Sequence, residues 1–161
     1  MKNSVLQNEL TQLMGDKCSL SESVRYNYSR GEDVFDPVVP DAVLFPETNE
    51  EVSTIVKICN NHKTPIVPFG TGTSLEGSAV GIKNGVTISL EKMNKILSVN
   101  EEDFDCRVQA YVTREQLNAH LKDKGVFFPI DPGANASIGG MTSTSASGTM
   151  AVKYGTMKTC L

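Results

Sequence analysis

The apolar positions of this chain fall first on a helical period. Leu6, Leu10 and Leu13 share one face of residues 3–14 and predict a short amphipathic helix. A second helix is expected after Ser19, anchored by Val24. Residues 29–41 carry Gly31, Asp33, Asp36, Pro37 and Pro40, which predict an extended, turning segment. The pattern then changes. Ala42-Val43-Leu44-Phe45 is a continuous apolar run, as in a buried strand. Thr48 and Glu51 form a capping box, each side chain satisfying an orphan helix donor. Behind them Val52, Ile55, Val56 and Cys59 make a helical stripe that ends near Asn60-Asn61. Pro65-Ile66-Val67-Pro68-Phe69 reads as the next strand. Strand, helix and strand with short connections form a βαβ unit, so the two strands are expected to run parallel.

After Gly85 the pattern is that of strands. Val86 to Leu90 alternates, and Ile96-Leu97-Ser98-Val99 is short and apolar. Phe104, Cys106, Val108, Ala110 and Val112 alternate strictly with polar neighbours and predict a half-buried strand. Thr113 and Gln116 form a second capping box before a helix with Leu117 and Leu121 on one face. Lys122 and Lys124 favour its C-terminal dipole, and Gly125 is the expected stop. The change of pattern near residues 91–100 marks a subdomain boundary, and no internal repeat is visible.

Between these elements lie two glycine-rich windows, which hold ten of the thirteen glycines. The first is Pro68-Phe69-Gly70-Thr71-Gly72-Thr73-Ser74-Leu75-Glu76-Gly77, with Gly81 and Gly85 beyond. It has the Gly72-to-Gly77 spacing of a P-loop, but Ser78 and Ala79 stand where Lys and Ser/Thr are needed, so nothing neutralises a triphosphate. Gly70 and Gly72 begin a dinucleotide fingerprint, with Glu91 about twenty residues on. Leu75 replaces its third glycine, however, and Gly77, Gly81 and Gly85 disfavour the helix that should follow. The remaining readings are an anion nest of backbone N–H groups and a turn that merely lets two strands pack.

The second window runs from Asp131-Pro132-Gly133 through Ser137-Ile138-Gly139-Gly140-Met141 and Ser147-Gly148 to Tyr154-Gly155. Seven of the thirteen residues from Ser137 to Thr149 are Ser or Thr, and no charge lies between Asp131 and Lys153. Ile138, Met141 and Ala146 interrupt it, and a rigid turn precedes it, which a flexible linker does not need. Small residues beside glycines suit a backbone packed flush against a flat ligand.

Charge and composition exclude several classes. A net charge of −4, with scattered basic residues, argues against a nucleic-acid surface. Cys18, Cys59, Cys106 and Cys160 form no Cys-x-x-Cys pair, and His62 and His120 lie near no cysteine, so no metal site is expected. Free thiols in a reducing compartment are the expectation. Nothing reads as a secretory signal, a transit peptide or a membrane span, which points to a cytoplasmic or membrane-peripheral location.

Both windows together resemble the flavin-binding domain of the vanillyl-alcohol oxidase and p-cresol methylhydroxylase superfamily. Within it, the likeness is to the branch of FAD-linked D-lactate dehydrogenases (cytochrome) and glycolate oxidase flavin subunits. The residues that carry it are those of the two windows, with Asp131-Pro132-Gly133-Ala134, Ser147-Gly148-Thr149, Tyr154-Gly155-Thr156-Met157 and the Pro46-Glu47-Thr48 helix entry. The resemblance covers roughly residues 25–161 and implies an α+β, FAD-binding PCMH-type fold. A small βαβ subdomain would be followed by the start of a second, mostly antiparallel α+β subdomain. Residues 1–38 would be an N-terminal helical extension, 39–95 the first FAD-binding subdomain and 96–161 the beginning of the second, truncated, with the substrate domain absent.

The resemblance implies FAD held by Pro68, Gly70, Thr71, Gly72, Thr73, Ser74 and Leu75 at the pyrophosphate. It further implies contacts from Pro132, Gly133, Ser137, Gly139, Gly140, Met141, Thr144, Ser147, Gly148, Tyr154 and Gly155. The implied reaction is hydride transfer from a D-2-hydroxy acid, D-lactate first, to the flavin, with a cytochrome c, quinone or electron-transfer flavoprotein as acceptor. A eukaryotic member would be mitochondrial. The chain departs from the family pattern at Thr144-Ser145-Ala146, where Thr-Asn-Ala is usual, and at Ser78, where His or Gly is common. Family members continue well beyond Tyr154-Gly155-Thr156-Met157, and neither His62 nor His120 matches their metal, base or carboxylate ligands, so no catalytic residue is expected here. His120 is expected to be a surface or packing residue. The other reading is a flavin-binding or structural fragment without activity. The strands after residue 95 are expected to leave an open sheet edge, and the isolated chain to be marginally stable.

Overall fold

The computed structural model describes residues 4–161, which divide at Lys92/Met93 into two units. In the first, helix α1 (Ser4–Met14) leads to a short strand β1 (Cys18–Ser19) and helix α2 (Glu22–Asn27). Strand β2 (Ala42–Leu44), helix α3 (Asn49–Asn61), strand β3 (Ile66–Phe69) and strand β4 (Val86–Ser89) follow.

The sheet order is β1-β2-β4-β3. β1 is antiparallel to β2, whereas β2 and β3 both run parallel to β4. The parallel direction expected for the βαβ unit is therefore present, but its two strands are not neighbours. β4 occupies the central place, and all four of its residues are buried. A strand covered on both faces needs no polar alternation, so the alternation of residues 86–90 carried no information about faces.

α1 and α3 bury one stripe each against this sheet, in a core of Leu6, Leu10, Met14, Leu44, Ile55, Ile58, Cys59, Val86 and Ile88. Two positions differ from the sequence reading. Leu13 is 44% exposed, because steps of four residues bring Met14, not Leu13, under Leu6 and Leu10. Val56 is likewise 42% exposed, and Ile58 takes the buried place. Residue 3, included in the expected first helix, lies outside the described residues. Burial pushes the Cys59 thiol up to about 11, so it stays a protonated packing group.

The first capping box forms with a shift of one residue. Thr48 Oγ1 accepts the Glu51 N–H at 3.2 Å, while Glu51 Oε2 accepts the Glu47 N–H at 2.7 Å. Lys17 Nζ donates to Glu51 Oε1 at 2.6 Å and to Glu47 Oε2 at 3.0 Å, tying β1's approach to the helix entry. The Glu47 N–H and then the Lys17 ammonium hold the Glu51 carboxyl below its ordinary value of 4.5. Its contribution is complete above that value and is lost as pH falls through the lowered one. Glu51→Gln should therefore cost about 0.5 kcal/mol at neutral pH. Denaturant curves of the two proteins should converge as the pH drops below 4.5. A gap that persists or widens in acid would contradict this link.

The second unit holds an antiparallel pair, β5 (Ile96–Asn100) and β6 (Asp105–Val108), then helices α4 (Arg114–Leu121), α5 (Ile138–Thr144) and α6 (Ala151–Tyr154). The strand expected over residues 104–112 is shorter than its alternation predicts. Phe104 sits in the hairpin turn with φ 56° and 82% of its surface exposed, and Cys106 is also exposed. Cys106 shares a face with Val108 and with its cross-strand partner Val99, which pack against Val112, Leu117 and Leu121, but Phe104 and Cys106 lie toward the turn end of the ribbon and are not part of that cluster. Beyond Val108 the chain turns inward. The Val112 N–H bonds the Gln109 carbonyl, and Val112 packs with Leu117 and Leu121. Thr113 caps α4 through the Gln116 N–H at 3.2 Å, but Gln116 Nε2 donates to the Asn94 carbonyl instead of closing the box. Gly125 follows α4 with φ +73°, where a stop was expected.

Candidate functional site

The first glycine window leaves the C-terminal end of β3 and reaches β4 without any helix. This is the end of a parallel sheet at which ligands bind. The Phe69 carbonyl accepts the Leu90 N–H at 3.0 Å, and the Gly72 carbonyl accepts the Glu32 N–H at 2.9 Å. By contrast, the N–H groups of residues 70–75 donate to no acceptor among the described residues. Gly70 to Ser74 are half-buried, Pro68 is exposed, and Leu75 is 67% exposed.

Gly72 has φ +73°, and no other residue from 70 to 75 has positive φ; a left-handed residue of this kind can turn neighbouring N–H groups toward one anion. The hydroxyls are close-spaced. Thr71 Oγ1 and Thr73 Oγ1 lie 3.3 Å apart, and Ser74 Oγ donates to Glu76 Oε2 at 2.8 Å and lies 3.0 Å from Ser78 Oγ. No lysine or arginine occurs from Gly70 to Ile82. The loop thus offers a phosphate neutral donors in a fixed array and no mobile cation.

Two of this window's glycines serve packing. A Cβ on Gly77 (φ +75°) would lie 2.6 Å from the Phe35 ring, and one on Gly85 would overlap the Pro65 carbonyl. Glu91, spaced like a ribose-binding carboxylate, accepts the Tyr28 hydroxyl at 2.6 Å.

The second window holds a feature that sequence reasoning missed. Residues 138–144 are helical, capped by Ser137, whose Oγ accepts the Gly140 N–H at 3.3 Å. Thr142, Ser143 and Thr144 each donate a hydroxyl to the carbonyl four residues back. The cap was the available signal, but a Gly-Gly pair and four consecutive Ser/Thr residues mask it by propensity. The Ile138 and Gly139 N–H groups bond the Val112 and Ala110 carbonyls. The first turn of α5 is therefore already satisfied by protein, unlike the loop at residues 70–75.

Gly139 lies against Ala110, whose Cβ would be 2.8 Å from an added Cβ, and Gly148 lies against the Asp131 backbone. Met141 is buried with Ile130, Ala136 and Met157, while Gly140, Thr144, Ser147, Pro132 and Gly133 are exposed. The Tyr154 ring packs edge-on to Phe127 at 5.5 Å with Lys153 Nζ 4.8 Å from its centroid, and Gly155 follows with φ +80°.

Outside the windows, His62 Nε2 pairs with Glu9 Oε2 at 2.8 Å, and His120 is exposed. Cys18, Cys59, Cys106 and Cys160 are free thiols. Among the described residues no group of His, Cys, Asp and Glu could hold a metal, and no helix is long and apolar enough to cross a membrane.

A family model described as an FAD binding domain matches residues 40–161. A protein of Danio rerio named probable D-lactate dehydrogenase, mitochondrial, is 50% identical over 140 residues, 87% of this chain and 28% of its own length. A D-lactate dehydrogenase (cytochrome), mitochondrial, of Arabidopsis thaliana is 41% identical over 155 residues, 95% of this chain and 27% of its own. The chain therefore spans less than a third of the length of these relatives. The solved structure of p-cresol methylhydroxylase with substrate bound matches with a TM-score of 0.68 and 28% identity, over 76% of this chain and 25% of that one. These likenesses confirm the α+β, PCMH-type fold that the two windows implied.

Proposed function

The chain belongs to the FAD binding domain family, with FAD as its cofactor, and on that premise we propose that it is the FAD-holding portion of an enzyme that oxidises a D-2-hydroxy acid, D-lactate first. The observation that carries the reading is the unpaired N–H run of residues 70–75 around the positive-φ Gly72. It would suit a pyrophosphate: the loop could offer its two anionic groups several backbone donors with Thr and Ser hydroxyls beside them, and no triphosphate-binding lysine is present. When bound, the flavin supplies a hydride acceptor for a carbon that bears a hydroxyl.

The residues of this chain bind and orient. Gly70, Thr71, Gly72, Thr73, Ser74 and Leu75 present N–H donors to the pyrophosphate, with Pro68 fixing the entry to the loop. Pro132, Gly133, Ser137, Gly139, Gly140, Met141, Thr144, Ser147, Gly148, Tyr154 and Gly155 are proposed as further residues that shape or contact the cofactor. Met141 and Gly139 do so by supporting α5 from within the second unit's packing. Groups that bind the hydroxy acid and remove its hydroxyl proton are placed outside these 161 residues. The relatives named cytochrome-linked and mitochondrial support a cytochrome acceptor and, in a eukaryote, a mitochondrial location.

The test has two stages. Apo-protein titrated with FAD should quench flavin fluorescence and retain a yellow colour through gel filtration. The complete protein carrying this chain, supplied anaerobically with D-lactate, should then lose its oxidised-flavin absorbance and afterwards reduce cytochrome c. A yellow protein inert to D-lactate and related 2-hydroxy acids would leave only a flavin carrier. A protein that takes up no FAD would remove the reading altogether.

A further inference from the structure

We infer that residues 28–35, which precede the matched family region 40–161, form a positioning brace that orients the N–H groups of the glycine loop; this rests on the reading that the loop holds the FAD pyrophosphate. The key contact is the Glu32 N–H to Gly72 carbonyl bond of 2.9 Å. A trans peptide points its carbonyl and its N–H in opposite directions. Fixing the Gly72 carbonyl onto Glu32 therefore turns the Thr73 N–H away from the brace, and among the described residues it meets no acceptor.

The brace has little room to move. A Cβ on Gly31 would lie 2.5 Å from the Gly72 carbonyl oxygen and 3.3 Å from Ala79 Cβ. Asp33 holds the segment's turn by accepting the Gly31 N–H through Oδ2 at 3.2 Å and the Phe35 N–H through Oδ1 at 3.1 Å. At one end the Tyr28 ring meets Phe69 edge-on at 4.9 Å, and the Phe69 ring in turn lies beneath Gly72. The Tyr28 hydroxyl is anchored on Glu91 at the end of β4. At the other end the Phe35 ring fills the space a side chain at Gly77 would need. Tyr28, Gly31, Glu32 and Phe35 thus touch both ends and the middle of the loop. They are positioning residues, since they act through the loop.

Glu32 gives a clean test, because the exposed side chain and the backbone donor separate by substitution. Glu32→Pro deletes the N–H, whereas Glu32→Ala keeps it. In the full chain, titrated with FAD and with ADP, Glu32→Pro should weaken both about tenfold, roughly the loss of one hydrogen bond. Glu32→Ala should match the unaltered protein. The ligand-free melting temperature of all three should agree within a few degrees. If Glu32→Pro fails to fold, Gly31→Ala, which pushes the Gly72 carbonyl away, should show the same tenfold loss for ADP. Equal affinities in all variants would overturn the brace, and so would equal losses for the proline and alanine substitutions. Loss of FAD binding by the unaltered chain would instead overturn the reading beneath it.

Discussion

Gly148→Ala is expected to destabilise the second unit by about 3 kcal/mol, a shift of roughly 10 °C or more in its melting temperature. The added Cβ would overlap the Asp131 carbonyl and lie 2.6 Å from the Asp131 nitrogen. These are backbone atoms, so no rotamer change relieves the contact. Nor can Asp131 withdraw freely. Its Oδ1 accepts the Gly133 N–H at 3.1 Å and its Oδ2 lies 3.6 Å from Arg114. The Gly148 carbonyl is itself engaged by the Ala151 N–H at 3.0 Å. Gly125→Ala provides the comparison. There φ is +73° and nothing lies within 4 Å, so the cost is left-handed strain alone, about 1 kcal/mol. If denaturant unfolding gives the two variants equal stability, the close approach at Asp131 is not the reason for glycine at this position.

The second large effect concerns affinity. Gly72→Asp should raise the dissociation constant for FAD about a hundredfold, whereas Gly72→Asn should raise it far less. Both residues tolerate positive φ better than most, and both introduce the same crowding against Phe69, whose Cζ would be 2.9 Å from the new Cβ. They differ only in charge. A carboxylate about 5 Å from a phosphate, at an effective dielectric near 20, adds roughly 3 kcal/mol of repulsion. No lysine or arginine between Gly70 and Ile82 is available to offset it, and Glu76 already brings one negative charge, engaged by Ser74. The difference between the variants should shrink as salt is raised. Equal affinities for the aspartate and asparagine proteins would mean that the pyrophosphate lies elsewhere.

Apart from the two-residue β1, which was not expected, the elements of the first unit were legible because each had a local cause. Thr48 capped α3, Ile55 and Cys59 marked its buried face, and the glycines after Phe69 ruled out a helix before Val86. Strand order was not legible, since nothing local says that Val86–Ser89 will slide between β2 and β3. The alternation of residues 104–112 misled for a related reason. A period of two reports that one face can be buried, and Phe104 and Cys106 lie toward the turn end of the ribbon, outside the cluster that buries that face.

The glycine loop was recognisable by composition, but the division of labour within it was not. Gly77 and Gly85 accommodate Phe35 and Pro65, while Gly72 adopts a positive φ above the Phe69 ring and is proposed to shape the donor array. The sequence signal is identical for both jobs, and only the neighbours distinguish them. In the second window Ser137 was visible and its cap was not, because the residues after it are poor helix formers whose stability comes from Met141 in the core.

The place of β4 also constrains how the first unit is assembled. Its four residues are the last strand of that unit in sequence and the centre of its sheet in space. On a ribosome, β2 emerges with only the two-residue β1 to pair with, and β3 emerges with no strand partner at all. Every parallel pairing waits for residues 86–89 to clear the exit tunnel. β4 must then pair with β2 on one side and with β3 on the other. Such a step is non-local and late, and until it occurs β2 has one open edge and β3 has two.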